Sequence, residues 1–343
     1  MESGRWARRS LRVVAHRLLR PVSAVPAGPQ LAGAGACGEE REDVMDAGSG
    51  TTGWGIVVAF DGSPGSEVAL DWAAAAARRQ AKPLTVVYCV DMAAVPLDPV
   101  YSPDDLPREI REAAQATLDR GVERAKNFAK PPDVDGVIVV GTTAAEVVLA
   151  SKDADLVVIG SRGRGRFASG ILGSVSYAVA AHAFSPVVVV RGETAVHPDA
   201  GHPVVVGVDD SDASHRAVAR AAEVAAAAGA PLRIVHVGRL RSPEGWAYVE
   251  DNAAGTEHTH AVRERAQTIL TRARDRVLAT HPEVEVETEV LFGEPGHVLA
   301  PYGARAGLLV VGSRGRGGFA GLMLGSVSHT VIHEAGCPVM VVR

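Results

Sequence analysis

Cysteine is scarce in this chain: three residues, Cys37, Cys89 and Cys337, stand in a length of 343. Odd in number and far apart, they form neither a disulfide framework nor a metal-type spacing, and they point to a reducing, cytoplasmic setting. Long hydrophobic runs are missing too. The apolar residues come as short Val, Ile and Leu runs, none near the roughly 18–20 residues that a membrane-spanning helix needs, so no membrane association is expected. Nor is there an excess of positive charge. With 35 Lys and Arg against 40 Asp and Glu the formal net charge is −5, which gives no general attraction to nucleic acid or anionic lipid. Any bound anion must be held by a local arrangement.

What is present is ample apolar material, 47% of residues, enough for two buried cores in a chain of this length. The amino-terminal part is of another kind. From Met1 to Pro21 six arginines face one glutamate, and a Pro/Ala/Gly-rich run follows. This reads as a disordered extension over residues 1–52, of which residues 1–44 read as upstream of a natural start at Met45. Arg8 and Arg9 resemble a twin-arginine export signal, but "VVAHRLLR" is too short and too charged for its apolar part.

The remainder is a repeat. "GSRGRGRFASGILGSVS", Gly160 to Ser176, returns as "GSRGRGGFAGLMLGSVS", Gly312 to Ser328, with 13 of 17 positions identical. "IVVAFDGS" from Ile56 likewise answers "VVVGVDDS" from Val204, with Asp61 matched by Asp209. The chain therefore divides into a first domain over 53–192, a linker over 193–201 and a second domain over 202–343. In the first domain strands are expected at Ile56–Phe60, Leu84–Val90, Val134–Val140, Leu156–Ile159 and Val187–Val190. The second domain repeats them at Val204–Val208, Leu232–Val237, Val284–Leu291, Leu308–Val311 and Val339–Val342. Helices are expected between them, with Ser63–Pro64 as an N-cap and first turn and apolar stripes over Leu106–Lys130 and Thr259–Ala279. Strands apolar throughout fit parallel sheets covered on both faces. The fold class is α/β: two tandem doubly wound, Rossmann-like domains of five parallel strands each.

In such a sheet ligands lie beyond the carboxyl ends of the strands, where the winding reverses. Asp61 and Asp209 end the first strands there, and Gly160 and Gly312 the fourth. Gly160 and Gly163 permit turns that a Cβ would obstruct and expose backbone N–H groups. Nine residues on, Gly173 and Ser174 open an apolar-striped helix beginning at Val175, whose N-terminus attracts anions. Gly312, Gly315, Gly325, Ser326 and Val327 keep the same intervals. The pattern describes a phosphate cradle made twice. Arg162, Arg164, Arg166, Arg314 and Arg316 are either phosphate clamps or solvated loop charges; Arg166, replaced by Gly318 in the second copy, is not required in both.

No G-x-x-x-x-G-K-[ST] occurs, and no G-x-G-x-x-G follows either first strand. G-x-x-G, nine residues, then G-S after the fourth strand, joined with a first-strand Asp and terminal strands "PVVVVR" and "PVMVVR", resembles the universal stress protein family in its ATP-binding branch. The resemblance implies that Gly160, Gly163, Gly173, Ser174 and Val175, with Gly312, Gly315, Gly325, Ser326 and Val327, hold ATP, accompanied by Mg²⁺. It implies that Asp61 and Asp209 meet the nucleoside and that Cys89 and Val237 touch adenine. Cys89 stands where valine is usual, and Asp210, replacing Gly62 of the first copy, adds a carboxylate expected to weaken the second site.

His329 and His333, four apart, have Tyr177 and Ala181 as counterparts and no third ligand, so they read as structural. His258 and His260 read as solvated. No Ser/His/Asp or Cys/His set and no paired carboxylates recur at matched positions, so no catalytic residue is expected. A nucleotide-dependent stress-response regulator is the leading reading, and a slow ATPase or nucleotidyl transferase on the same fold is the alternative. Pairing of Val187–Val190 with Val339–Val342 would join the domains into an intramolecular pseudo-dimer; a homodimer of the chain stays open.

Overall fold

The computed structural model describes residues 53–91, 106–163, 172–239, 253–315 and 324–343. The extension over 1–52 and the loop arginines Arg164, Arg166 and Arg316 lie outside the described residues. The first domain runs β1 (Gly55–Ala59), α1 (Pro64–Arg79), β2 (Leu84–Asp91), α2 (Arg108–Phe128), β3 (Val134–Gly141), α3 (Thr143–Ala150), β4 (Ala154–Gly160), α4 (Ser174–His182) and β5 (Val187–Val190). The second runs β6 (Val204–Val208), α5 (Asp212–Ala228), β7 (Leu232–Gly238), α6 (Ala253–Thr280), β8 (Val286–Phe292), α7 (Pro295–Leu299), β9 (Leu308–Gly312), α8 (Ser326–Glu334) and β10 (Val339–Val342).

All ten strands lie in one sheet, in the order β3-β2-β1-β4-β5-β10-β9-β6-β7-β8. Within each half every pairing is parallel, and the winding reverses between β1 and β4 and between β6 and β9. The halves meet through β5 and β10, which pair antiparallel in the register Val187–Val341, Val188–Met340 and Val189–Val339. All eight residues of these two strands are buried. A lone apolar edge would recruit another strand, and here each terminal strand covers the other.

Local chemistry sets the helix starts. Ser63 and Ser211 accept from the N–H groups of Ser66 and Ser214, 3.3 and 3.2 Å away, and so cap α1 and α5. Pro107 stands before α2, which begins at Arg108, two residues later than its apolar stripe suggested. The helices α1, α2, α5 and α6 cover one face of the sheet and α3, α4, α7 and α8 the other, giving two apolar layers. Among the described residues no helix is long and apolar enough to cross a membrane.

The linker is fastened down. The His197 ring stacks on Trp72 of α1, with centroids 6.2 Å apart and planes 17° from parallel. Pro198 lies so close to Gly307 that a Cβ there would come within 2.4 Å of it. Both nitrogens of His197 are buried without a hydrogen-bond partner, and burial pushes its pKa down to about 4.

Candidate functional site

The two winding reversals bring the sequence-marked residues together. In the second half a cavity of about 580 Å³ opens over the carboxyl ends of β6, β7 and β9. It is lined by Asp209, Val237, Gly312, Gly315, Gly325, Ser326 and Val327, so the seven residues of that half expected to contact a nucleotide border one space. Its size falls within the range of small-molecule sites, about 300–1,000 Å³.

Asp209 is oriented from below. Its Oδ1 accepts from the Ser211 hydroxyl at 2.6 Å and the Ser211 N–H at 3.1 Å. Its Oδ2 lies against Gly315, where a Cβ would fall 2.4 Å away. The first half repeats this: Asp61 Oδ1 accepts from the Ser63 N–H at 2.9 Å, and a Cβ on Gly163 would fall 2.9 Å from Asp61 Oδ2. Glycine is needed there for close approach. Neither Gly163 nor Gly315 has a positive φ, and the obstruction that a Cβ would meet comes from the carboxylate. Gly160 is crowded in another way, by the Gly65 carbonyl, 2.6 Å from where its Cβ would stand.

Gly173 and Gly325 are the N-caps of α4 and α8, and Ser174 and Ser326 open those helices, followed by Val175 and Val327. Each loop is tied back to its strand. Gly173 N–H donates to the Ser161 carbonyl at 2.9 Å and Gly325 N–H to that of Ser313 at 2.7 Å. A further serine in each half, unmarked from sequence, completes the anchor: buried Ser176 donates to the Gly160 carbonyl at 2.7 Å and buried Ser328 to that of Ser313 at 3.0 Å. Its signal was the repeated second serine of "GSVS".

Other walls were not legible either. Arg239, after β7, and Arg265 of α6 line the second cavity together with Arg314, giving it a cationic rim. Arg239 is held by Glu294 at 3.0 Å. Val262, Ile269 and Leu299 supply an apolar end beside Val237. Among the described lining residues Asp209 is the one carboxylate and His236 the one imidazole, and His236 Nδ1 is 2.8 Å from the Val208 carbonyl.

Asp210 is engaged by α5. It occupies the left-handed backbone position of its counterpart Gly62, with φ of 65° against 77°, and its Oδ1 lies 3.1 Å from His215 Nε2 on α5. It is not among the residues bordering the cavity.

In the first half the register Ala59–Val87 carries Cys89 alongside Asp61. The Cys89 thiol donates to the Gly141 carbonyl at 3.6 Å, and burial pushes its pKa up to about 11. That favours a packed thiol over a reactive thiolate. Nearby Glu146 is also pushed up by burial. Where the second half has Arg239, the first has Asp91, which accepts from Thr143 at 3.3 Å. The corresponding ends of β2 and β7 thus differ in charge.

Away from these sites, the His329 and His333 rings lie 4.5 Å apart between centroids and tilted by 31°, and Tyr177 of α4 meets His329 edge-on at 5.8 Å. The group lies where α4 and α8 meet. Among the described residues no cluster of three His, Cys, Asp or Glu is placed to hold a metal ion. His260 is exposed.

The chain has recognisable relatives. The sequence pattern of the universal stress protein family matches residues 55–191 and again 201–343. Universal stress protein Rv2623 of Mycobacterium tuberculosis is 35% identical over 300 residues, covering 86% of this chain and 98% of that protein. A universal stress protein of Mycolicibacterium smegmatis is 32% identical over 301 residues, covering 85% and 98%. The crystal structure of a universal stress protein from Archaeoglobus fulgidus superposes with a TM-score of 0.60 over 85% of this chain and 99% of that one, at 23% identity, a likeness of fold. The chain belongs to the universal stress protein family, with two of its domains in tandem.

Proposed function

We propose that each domain binds one adenine nucleotide, ATP in the resting state, and that the bound nucleotide sets the conformation or partner choice of a stress-response regulator. The observation that carries this reading is the shared border of the 580 Å³ cavity: carboxylate, glycine loop, helix N-terminus and apolar end face one space. Phosphates suit the α8 N-terminus, the loop and Arg314; a flat, weakly polar base suits Val237, Ile269 and Leu299; Asp209 suits ribose hydroxyls. The missing Cβ atoms of Gly163 and Gly315 fit a backbone that a ligand approaches closely. Mg²⁺ would be carried on the phosphates, since Asp209 is the single carboxylate of the described lining. The buried, protonated thiols of Cys89 and Cys337 accord with a reducing cytoplasm. The test is calorimetric titration of the full chain with ATP, ADP and GTP, alongside extraction of any nucleotide from the freshly purified protein. Two ATP per chain is expected, with GTP weaker; failure of ATP to bind overturns the reading.

A further inference from the structure

A smaller cavity, about 320 Å³, adjoins the second glycine loop where α5 begins and β10 ends. Three arginines converge on it: Arg216 from α5, Arg314 from the loop, and Arg343 just beyond β10. Ser211 and Ser313 border it as well, and so does Asp212, an exposed carboxylate. Arg216 Nε donates to the Arg343 carbonyl at 2.5 Å, which ties α5 to the residue after β10 at this corner.

The repeat shows what is unusual here. Arg191, the counterpart of Arg343, donates across the junction to the Ile332 carbonyl of α8. Arg343 makes no reciprocal bond: its Nε and Nη2 are buried and have no acceptor. Burial, with Arg314 close by, lowers its pKa. A buried guanidinium N–H without an acceptor is costly, and arginine forks match tetrahedral oxyanions in two-point contacts. The seventeen-residue helix α5 also presents its N-terminus at this corner. In the first half Val68 and Pro64 stand where the second has Arg216 and Asp212, so the cluster is particular to the second half.

We propose that this corner binds a phosphate-class oxyanion on Arg216, Arg314 and Arg343, outside the cavity assigned above to the nucleotide. Arg314 and Gly315 border both cavities, whereas Arg216 and Arg343 border only this one, so the site is tested through those two.

The experiment titrates the full chain with inorganic phosphate, followed by calorimetry and phosphorus NMR linewidth. Three proteins are compared: wild type, the double variant Arg216→Val with Arg343→Gln, and Arg265→Glu, at an exposed residue that borders the larger cavity and not this one. One phosphate is expected to bind wild type and Arg265→Glu alike, with affinity about tenfold or more weaker in the double variant. Arg343→Lys keeps the charge, loses the fork, and should fall between. Repeating the titration under saturating ATP identifies the source of the anion. A free ion still binds, whereas the terminal phosphate of a nucleotide reaching past Gly315 displaces it; either result, if lost in the double variant, supports the site. The proposal is overturned by no binding at about 10 mM phosphate, by unchanged affinity in the double variant, or by loss in Arg265→Glu alone. ATP affinity measured on the same proteins tests the nucleotide reading separately.

Discussion

Asp209 Oδ2 stands 2.4 Å from the position that a side chain on Gly315 would take first, and Asp61 holds the same relation to Gly163 at 2.9 Å. Carboxylate and loop backbone are thus fitted to one another in both halves. Each half has a glycine whose replacement should act on the site before it acts on the core.

Gly315→Glu should remove nucleotide binding from the second domain and Gly163→Glu from the first, by adding bulk and negative charge against Asp209 and Asp61. Each single variant is expected to bind one ATP by calorimetry and the double variant none. Retention of both nucleotides in the double variant would show that the loop does not hold phosphate.

Asp61→Ala and Asp209→Ala should each weaken one ATP site by roughly ten- to a hundredfold, the worth of a charged hydrogen bond of about 1.5–3 kcal/mol. Asp209→Ala also takes two bonds from Ser211, the α5 cap, so a melting-temperature loss corresponding to about 1 kcal/mol is expected alongside. Equal affinity in wild type and both variants would place the nucleoside elsewhere.

His197 should make stability depend on pH. Its folded pKa, about 4, lies below the ordinary 6.5, so the folded state binds fewer protons than the unfolded one between those values. Its contribution is complete above the ordinary pKa and is lost as pH falls toward the folded one; from about pH 7 to about pH 5 the loss is about 2 kcal/mol. Denaturant unfolding at both pH values should show this, and His197→Phe should flatten it. An equal pH slope in the variant would assign the effect to other groups.

Hydrolysis should be slow. Rapid turnover needs a positioned water and stabilisation of developing charge, whereas Asp209 is turned onto Ser211 and His236 onto the Val208 carbonyl. Phosphate release under saturating ATP and Mg²⁺ is expected far below ~1 s⁻¹. A faster rate that disappears in the double glycine variant would favour the ATPase alternative.

The strands could be read from sequence because central parallel strands are continuous apolar runs: β2, β5, β6, β7, β9 and β10 begin where those runs begin. Helices without a long stripe were harder. α3 and α7 are short, and α6 starts at Ala253, six residues before its apolar period becomes visible. The glycine, serine and aspartate positions of the site were marked because they recur. Arg239 and Arg265 were not, since one follows β7, the other lies on α6, and only the folding of α6 over the sheet sets them on one rim. The turn of Asp210 toward His215 was equally hidden, being a choice between two side-chain directions that spacing does not encode.

Because β5 and β10 run antiparallel, the carboxyl ends of the strands in the two halves point in opposite directions. Nucleotides held there would sit at opposite ends of one sheet, unable to touch. The short linker also holds the halves at a high effective concentration, in the millimolar range typical of short tethers. Cutting between Gly192 and Ala200 would turn this internal pairing into an ordinary bimolecular equilibrium, with each freed domain exposing an apolar strand to whatever partner arrives first.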